Sequence, residues 1–422
     1  MNRIVRPSFT LWLVLLLAAC APALTPAANP SVVAPTGARP TAAILPTAQP
    51  PVAAATAQRS NLFLARPQGD TGPLIAYDMP SGGVRFTLPP GLLSADKQHY
   101  LAATAGAGTQ LLAYDLSTGA QTLLAHLTGQ WALSAVSATG HWAALTRLPS
   151  DSEKQSWTAT STWKTEVQVV DTKTGQTAHS IALDGNFAVD TLSALGDALF
   201  VIQYLPAVKP DHYQVRLFDL TTDTLQSGAL VDKRDPEEVM IGQRWQAVAP
   251  SDGSWLYSLY LRTANNTAFI HALNTRDKFT LCFDLPTVNG STLDQLRAYS
   301  LALSPDGQTL YAANPALGVV AKVDLSAYEV TRAASFSPDP VIQSAPAPVN
   351  FGVADARGLY FTSGKQIWAF NAGTQQVKSL STLNTVISGL ALGPDGRQLF
   401  VARSDQPPAL LDTSTGAALS SY

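Results

Sequence analysis

A two-part pattern recurs after residue 60, its first part eight times, and no other feature of the chain constrains its fold as tightly. One part is a short apolar strand, an Asp or Asn, a small polar turn and a second strand. Its copies are IAYDMPSGGVRF (75–86), LAYDLSTGAQTL (112–123), QVVDTKTGQTAH (168–179), RLFDLTTDTLQS (216–227), IHALNTRDKFTL (270–281), AKVDLSAYEVTR (321–332), WAFNAGTQQVKS (368–379) and ALLDTSTGAALS (409–420). The intervals from Asp78 to Asp412 average about 48 residues, a period typical of stacked supersecondary units. That is too short for a string of β-sandwich domains of about 100 residues each.

The second part lies between those copies, as in LLSADKQHYLAAT (92–104), APSDGSWLYSLY (249–260), LSPDGQTLYAAN (303–314) and LGPDGRQLFVAR (392–403). Each is a strand end, a turn built from Pro, Asp and Gly, and a strand rich in aromatic and β-branched residues. Pro presets φ and Gly accepts φ above zero, so the chain reverses tightly there. Two hairpins per repeat make four antiparallel strands, which is one propeller blade. The expected fold is all-β, a β-propeller of four-stranded antiparallel blades over residues 61–422, with eight blades or, alternatively, seven. The count turns on the first set, LIAYD (74–78) and GVRFT (83–87), which lacks an obvious innermost strand. VAAATA (52–57) would supply one and start the domain at residue 52.

LSPDGQTLYAAN followed by VVAKVDLS (319–326) resembles the repeat of the YVTN-type β-propeller family, with Tyr311-Ala312-Ala313-Asn314 where that family carries its naming tetrapeptide. LGPDGRQLFVARS (392–404) with LLDTSTG (410–416) is nearly as similar. The resemblance implies a propeller in an extracytoplasmic setting, within a WD40-like and lactonase-like superfamily, and no single activity.

The N-terminus gives the expected location. Arg3 and Arg6 precede FTLWLVLLL (9–17) and Ala18-Ala19-Cys20, the plan of an export signal over residues 1–19. The apolar stretch is far shorter than the roughly 20 residues of a spanning helix. Leu17-Ala18-Ala19-Cys20 resembles a bacterial lipoprotein signal, which implies lipidation of Cys20 and anchoring to a bacterial cell membrane through that lipid alone. Residues 21–60, rich in Ala, Pro and Thr with two arginines and no acid, are expected to form an extended spacer. Removing residues 1–19 leaves 25 basic against 30 acidic side chains, a net charge of −5. With no basic run besides, nucleic acid is excluded as a partner.

In an antiparallel blade, the turns joining first to second and third to fourth strands share one face of the ring. All long insertions fall on the other: 147–166, 204–213, 227–245, 285–295 and 336–350. They belong to neighbouring blades and form either a partner-binding sector or neutral length variation. Candidate contacts there are Trp157 and Trp163, which either anchor a partner or fold back onto a blade edge. Lys209, His212, Tyr213, Arg234 and Arg262 are further candidates, although the charge run around Arg234 reads more readily as a solvated loop than as a site.

No catalytic set is visible. The six histidines pair at no metal-ligand spacing, and Cys20 and Cys282 cannot build a disulfide framework or a cysteine-rich zinc site. G-x-S-x-G, H-E-x-x-H and G-x-G-x-x-G do not occur. The sequence therefore suggests a cofactor-free, metal-free, monomeric binding or scaffold module for a protein or cell-envelope component. A lactonase-like or other hydrolase propeller working at the central channel is the alternative.

Overall fold

The computed structural model describes residues 62–66, 72–79, 81–150, 153, 163–237, 239–339 and 349–421. All belong to the second of two compact units, Gln58–Tyr422. The signal segment, Cys20, the spacer, VAAATA and Trp157 lie outside the described residues. Among those described, no helix is long and apolar enough to cross a membrane.

The unit is an eight-bladed β-propeller. Seven sheets have four strands and one has three, each in sequence order and antiparallel throughout. We letter the strands of a blade A to D from the axis outward. Blade 1 shows strands B to D, Leu62–Ala65, Leu74–Asp78 and Val84–Leu88. The seven-blade alternative is set aside.

Alternation drives the layering. Side chains on successive residues of a strand point to opposite sheet faces, so both faces of a blade pack on neighbours, and apolar residues dominate its middle strands. Between blades 5 and 6 the buried set includes Tyr257, Leu259, Leu261, Ile270, Leu310 and Val323. Each such aliphatic side chain contributes about 1.5–3 kcal/mol on burial. The ring closes by the same means: Phe63, Ala65 and Tyr77 of blade 1 pack against Phe400, Ala402 and Leu410 of blade 8, and no strand is shared between them.

The recurring Asp is a turn-maker. Asp412 Oδ1 accepts the amides of Ser414 and Thr415 at 2.9 and 2.8 Å, and Asp115, Asp171, Asp219 and Asp324 act alike in their own blades. This side-chain bonding to the backbone two and three residues on is what Asp offers a tight turn.

Blade 4 departs from the pattern. Its strand D is only Thr224–Leu225, and the chain beyond it folds back along the blade. Single bridges join Val215 to Leu230, Tyr213 to Met240 and Asp232 to Thr280 of blade 5. Insertion 227–245 is thereby stitched into the seam between blades 4 and 5 instead of standing clear of the ring.

Candidate binding site

All five insertions are B–C loops or D-to-A connections, so they share one face, called here the insertion face. Among the described residues, the sequence-predicted candidates are not gathered into one site upon it. Trp163 is half-buried just ahead of strand C of blade 3 (Lys164–Asp171), and its carbonyl accepts the Gly185 amide at 2.6 Å. Lys209 is exposed in the B–C loop of blade 4, at φ 55°. His212 pairs with its neighbour Asp211 at 2.5 Å.

Three candidates have structural duties. Tyr213 is 4% exposed and stacks on Tyr260 at 5.1 Å, so its ring is interior to the blade 4–5 seam. Arg234 holds buried Asp232 through two of its nitrogens and also donates to the Cys282 carbonyl, while residues 233–237 are exposed, as a solvated loop would be. Arg262 lies over the Phe269 ring at 4.0 Å and pairs with Asp284 at 2.7 Å. His212 and Tyr213 do share a pocket of about 340 Å³, with Glu237, Val239 and Met240 opposite.

Larger spaces lie on the axis and on the opposite face, where the short turns cluster. Strands A of blades 2 to 8 enclose a channel segment of about 640 Å³. Among the described residues its side chains are mostly aliphatic, with Ser94 and Thr191 as polar side chains and Lys97 at the mouth, and much of the exposed wall is polar. It reaches inward to Ala247, Leu301, Gly352 and Leu390. At the next level Gln246 ties three blades together, accepting the Leu301 amide at 3.3 Å and donating to the Asn350 carbonyl at 2.8 Å.

At the mouth the channel widens into a cup of about 700 Å³, formed by the A–B turns of blades 2, 5 and 6. The turns meet closely: the Asp96 amide donates to the Ala138 carbonyl of blade 3, and a Cβ on Gly253 of blade 5 would stand 2.3 Å from the Ala138 Cβ. The cup carries Asp96, Asp252, Asp306 and the half-buried Trp255. Each carboxylate spends Oδ1 on its own turn, taking the Gln98, Ser254 or Gln308 amide at about 3.0 Å. Oδ2 of Asp96 faces His99, and Oδ2 of Asp252 faces Arg276. The Ser304 hydroxyl and the Gln308 amide hold Asp306 below the usual carboxylate range. For Asp252, partial burial pushes upward and is outweighed by Ser254 and Arg276, so it too is lowered.

Sequence reasoning set its partner site on the insertion face and kept the channel for the hydrolase alternative, because it treated the Pro-Asp-Gly turns as tight connections and nothing more. The signal that pointed here was the Asp recurring in those turns. A turn brought to the axis presents its Asp to the channel mouth whatever its role in the turn.

A buried ion pair sits deeper. Asp190 of blade 4 strand A (Asn186–Leu192) is nearly inaccessible and accepts from Arg244 of blade 5 strand A (Gln243–Val248) at 2.7 Å. Desolvation raises the Asp190 carboxyl above its ordinary range despite Arg244. Among the described residues no group of three or more His, Cys, Asp or Glu is placed to hold a metal ion.

No protein-family model matches the chain, and no curated protein matches it. Solved structures do. A dihydro-heme d1 dehydrogenase, NirN in complex with DHE, superimposes with a TM-score of 0.52 at 14% identity, over 86% of this chain and 72% of that one. The Pseudomonas aeruginosa periplasmic gluconolactonase PpgL gives 0.39 at 17% identity, over 76% and 93%. An oligogalacturonate lyase from Vibrio parahaemolyticus gives 0.45 at 10% identity, over 83% and 90%. At these identities the likeness is one of fold alone.

Proposed function

We propose that this chain is a non-catalytic binding module, carried outside the cytoplasmic membrane on a lipidated Cys20 and acting as a monomer toward a protein or cell-envelope component. The observation that carries the reading is the channel wall. A hydrolase needs ionisable groups converging on a reacting atom, whereas among the described residues of this wall Ala, Val and Leu dominate the side chains and the one charged group is Lys97 at the mouth. Such a surface can bind and orient; it offers no acid–base pair. Insertions on a rigid ring supply a second surface for a partner.

Two experiments test this. The chain from residue 20 onward is expected to leave a panel of aldonolactones and aryl esters unhydrolysed, and turnover that follows the protein through purification overturns the reading. In cells, Cys20→Ala should leave no lipid-anchored mature form in the membrane fraction; unchanged membrane retention of a normally processed chain sinks the anchoring.

A further inference from the structure

The part of insertion 227–245 that precedes strand A of blade 5, residues 227–242, bridges the seam between blades 4 and 5 and is thinly held for a segment that covers a polar interior. We propose that it is a plug that opens locally, and opens further in acid, with His271 beneath it as the group that responds.

The hold is narrow. Of its described residues only Asp232 and Met240 are buried, and Met240 and half-buried Leu230 are the apolar side chains it sets into the seam, beside Tyr213 and Phe269. Toward strand C of blade 4 (His212–Asp219), the Leu230 amide donates to the Val215 carbonyl at 2.8 Å, and the Met240 carbonyl accepts the Tyr213 amide at 3.0 Å. Toward strand D of blade 5 (Phe279–Asp284), the grip is a clamp on one residue: Asp232 accepts the Cys282 amide at 2.7 Å and Arg234 donates to the Cys282 carbonyl at 2.9 Å. Between these holds the insertion borders the pocket of about 340 Å³, where Pro236, Glu237 and Val239 stand opposite His212 and Gln214. Few buried contacts and a cavity beneath them mark a segment of low local stability.

What lies beneath favours opening. His271, on strand C of blade 5 (Thr267–Asn274), stands directly across from the clamped Cys282 on one side and from Ser258 of strand B (Trp255–Arg262) on the other. His271 Nε2, Ser258 Oγ and Thr280 Oγ1 are buried without a hydrogen-bond partner among the described residues, and water entering the seam would supply those bonds. Around His271 stand Arg244, Tyr260 and Cys282 from its own blade, Asp232 from the insertion, and Asp190 and Tyr213 from blade 4, where Asp190 is tied to Arg244 and Tyr213 stacks on Tyr260. Burial keeps both tyrosines neutral. Burial and Arg244 oppose a charged His271, and Asp232, already committed to Arg234 and Cys282, is the carboxylate that favours it. The closed seam therefore keeps the imidazole neutral down to about pH 4, whereas water beneath an open plug lets it take its proton near pH 6.5. Acid favours the form that binds the proton more tightly, so the open population should rise about 30-fold between pH 7.5 and pH 5.

Hydrogen exchange followed by mass spectrometry tests this on the chain from residue 20 onward, produced without its lipid, with rates corrected for the intrinsic effect of pH. Peptides covering 227–242 and 279–284 should exchange through an opening that low urea leaves almost unchanged. A peptide covering strand B of blade 6 (Thr309–Asn314) should instead follow the steep urea dependence of global unfolding. The opening constant of the first two should rise about 30-fold between pH 7.5 and pH 5, and His271→Leu should remove that rise. Seam peptides of the unaltered protein that exchange only with global unfolding overturn the plug, whether or not the variant folds. Local exchange that ignores pH, or that rises as much in His271→Leu, overturns the acid response assigned to His271.

Discussion

Gly416, in the last turn of blade 8, lies so close to Leu380 of blade 7 that a Cβ built on it would stand 2.0 Å from the Leu380 carbonyl oxygen. Gly175 stands in the same relation to Leu124, at 2.1 Å, one blade boundary in the other half of the ring. Both partners are the extra residue of a β-bulge in the preceding blade's strand D. The Gly of the Asp-x-x-Thr-Gly turn thus has two tasks, a positive φ within its own blade and a close approach to the preceding one.

Gly416→Ala is expected to cost about 2 kcal/mol or more, because a strained φ of 72° is combined with backbone overlap. Gly307→Ala makes the control. It has nearly the same φ, 68°, but nothing within 4 Å of its added Cβ, so only the conformational cost of about 1 kcal/mol remains. Denaturant unfolding of the two variants separates the terms, and equal losses would remove the inter-blade role.

The repeat made the blades, their number and the face of each loop legible before any coordinate, since those follow from strand order and turn chemistry. The central site was less legible for a physical reason. Strands A of blades 4, 5 and 8 each slip by one residue against strand B, at Asp190, Trp245 and Ser388. A one-residue bulge breaks the two-residue alternation from which buried and exposed positions are read, so nothing in the sequence marked Asp190 as buried. Tyr213 was misplaced for a related reason: a two-residue strand D let the following insertion cover the side of the blade.

Arg244→Met should destabilise the ring by about 3–5 kcal/mol at neutral pH, the usual cost of stranding a buried charge, discounted somewhat because Arg244 is one-third exposed. The loss should depend on pH. Asp190 already has a raised pKa, and without its partner the folded state holds that proton more firmly still. Stability is then greatest at low pH and declines as pH rises past the unfolded carboxyl value. Thermal melts at pH 5 and pH 8 should therefore show a larger deficit at pH 8; equal deficits would mean that Asp190 does not depend on Arg244.

His271 should make the protein acid-sensitive. It is 1% exposed between blades 4 and 5, and burial, reinforced by Arg244 and opposed by Asp232, lowers its pKa from 6.5 to about 4. The unfolded chain takes up the proton first, so stability is full above about pH 6.5 and falls as pH drops toward 4. Between pH 8 and pH 5 the loss from this group is about 2 kcal/mol. His271→Leu should flatten that part of the profile, and an unchanged slope would assign the acid sensitivity to other groups.

Asp232 decides whether insertion 227–245 is structure or partner surface. Its side chain is 4% exposed, it accepts the Cys282 amide at 2.7 Å, and Arg234 grips both of its oxygens. Burial pushes its pKa up, but these partners outweigh that and lower it, so its contribution is present at neutral pH and is lost only in strong acid. Asp232→Ala strands the Cys282 amide and frees a guanidinium, at a cost of about 2–4 kcal/mol. Lys233→Ala, at the exposed neighbouring position, should stay within about 0.5 kcal/mol. Arg234→Ala should follow Asp232 in lowering stability at neutral pH while leaving the captured partner, once identified, bound at the unaltered affinity. A variant at Arg234 that melts normally and loses the partner would return that side chain to the binding surface.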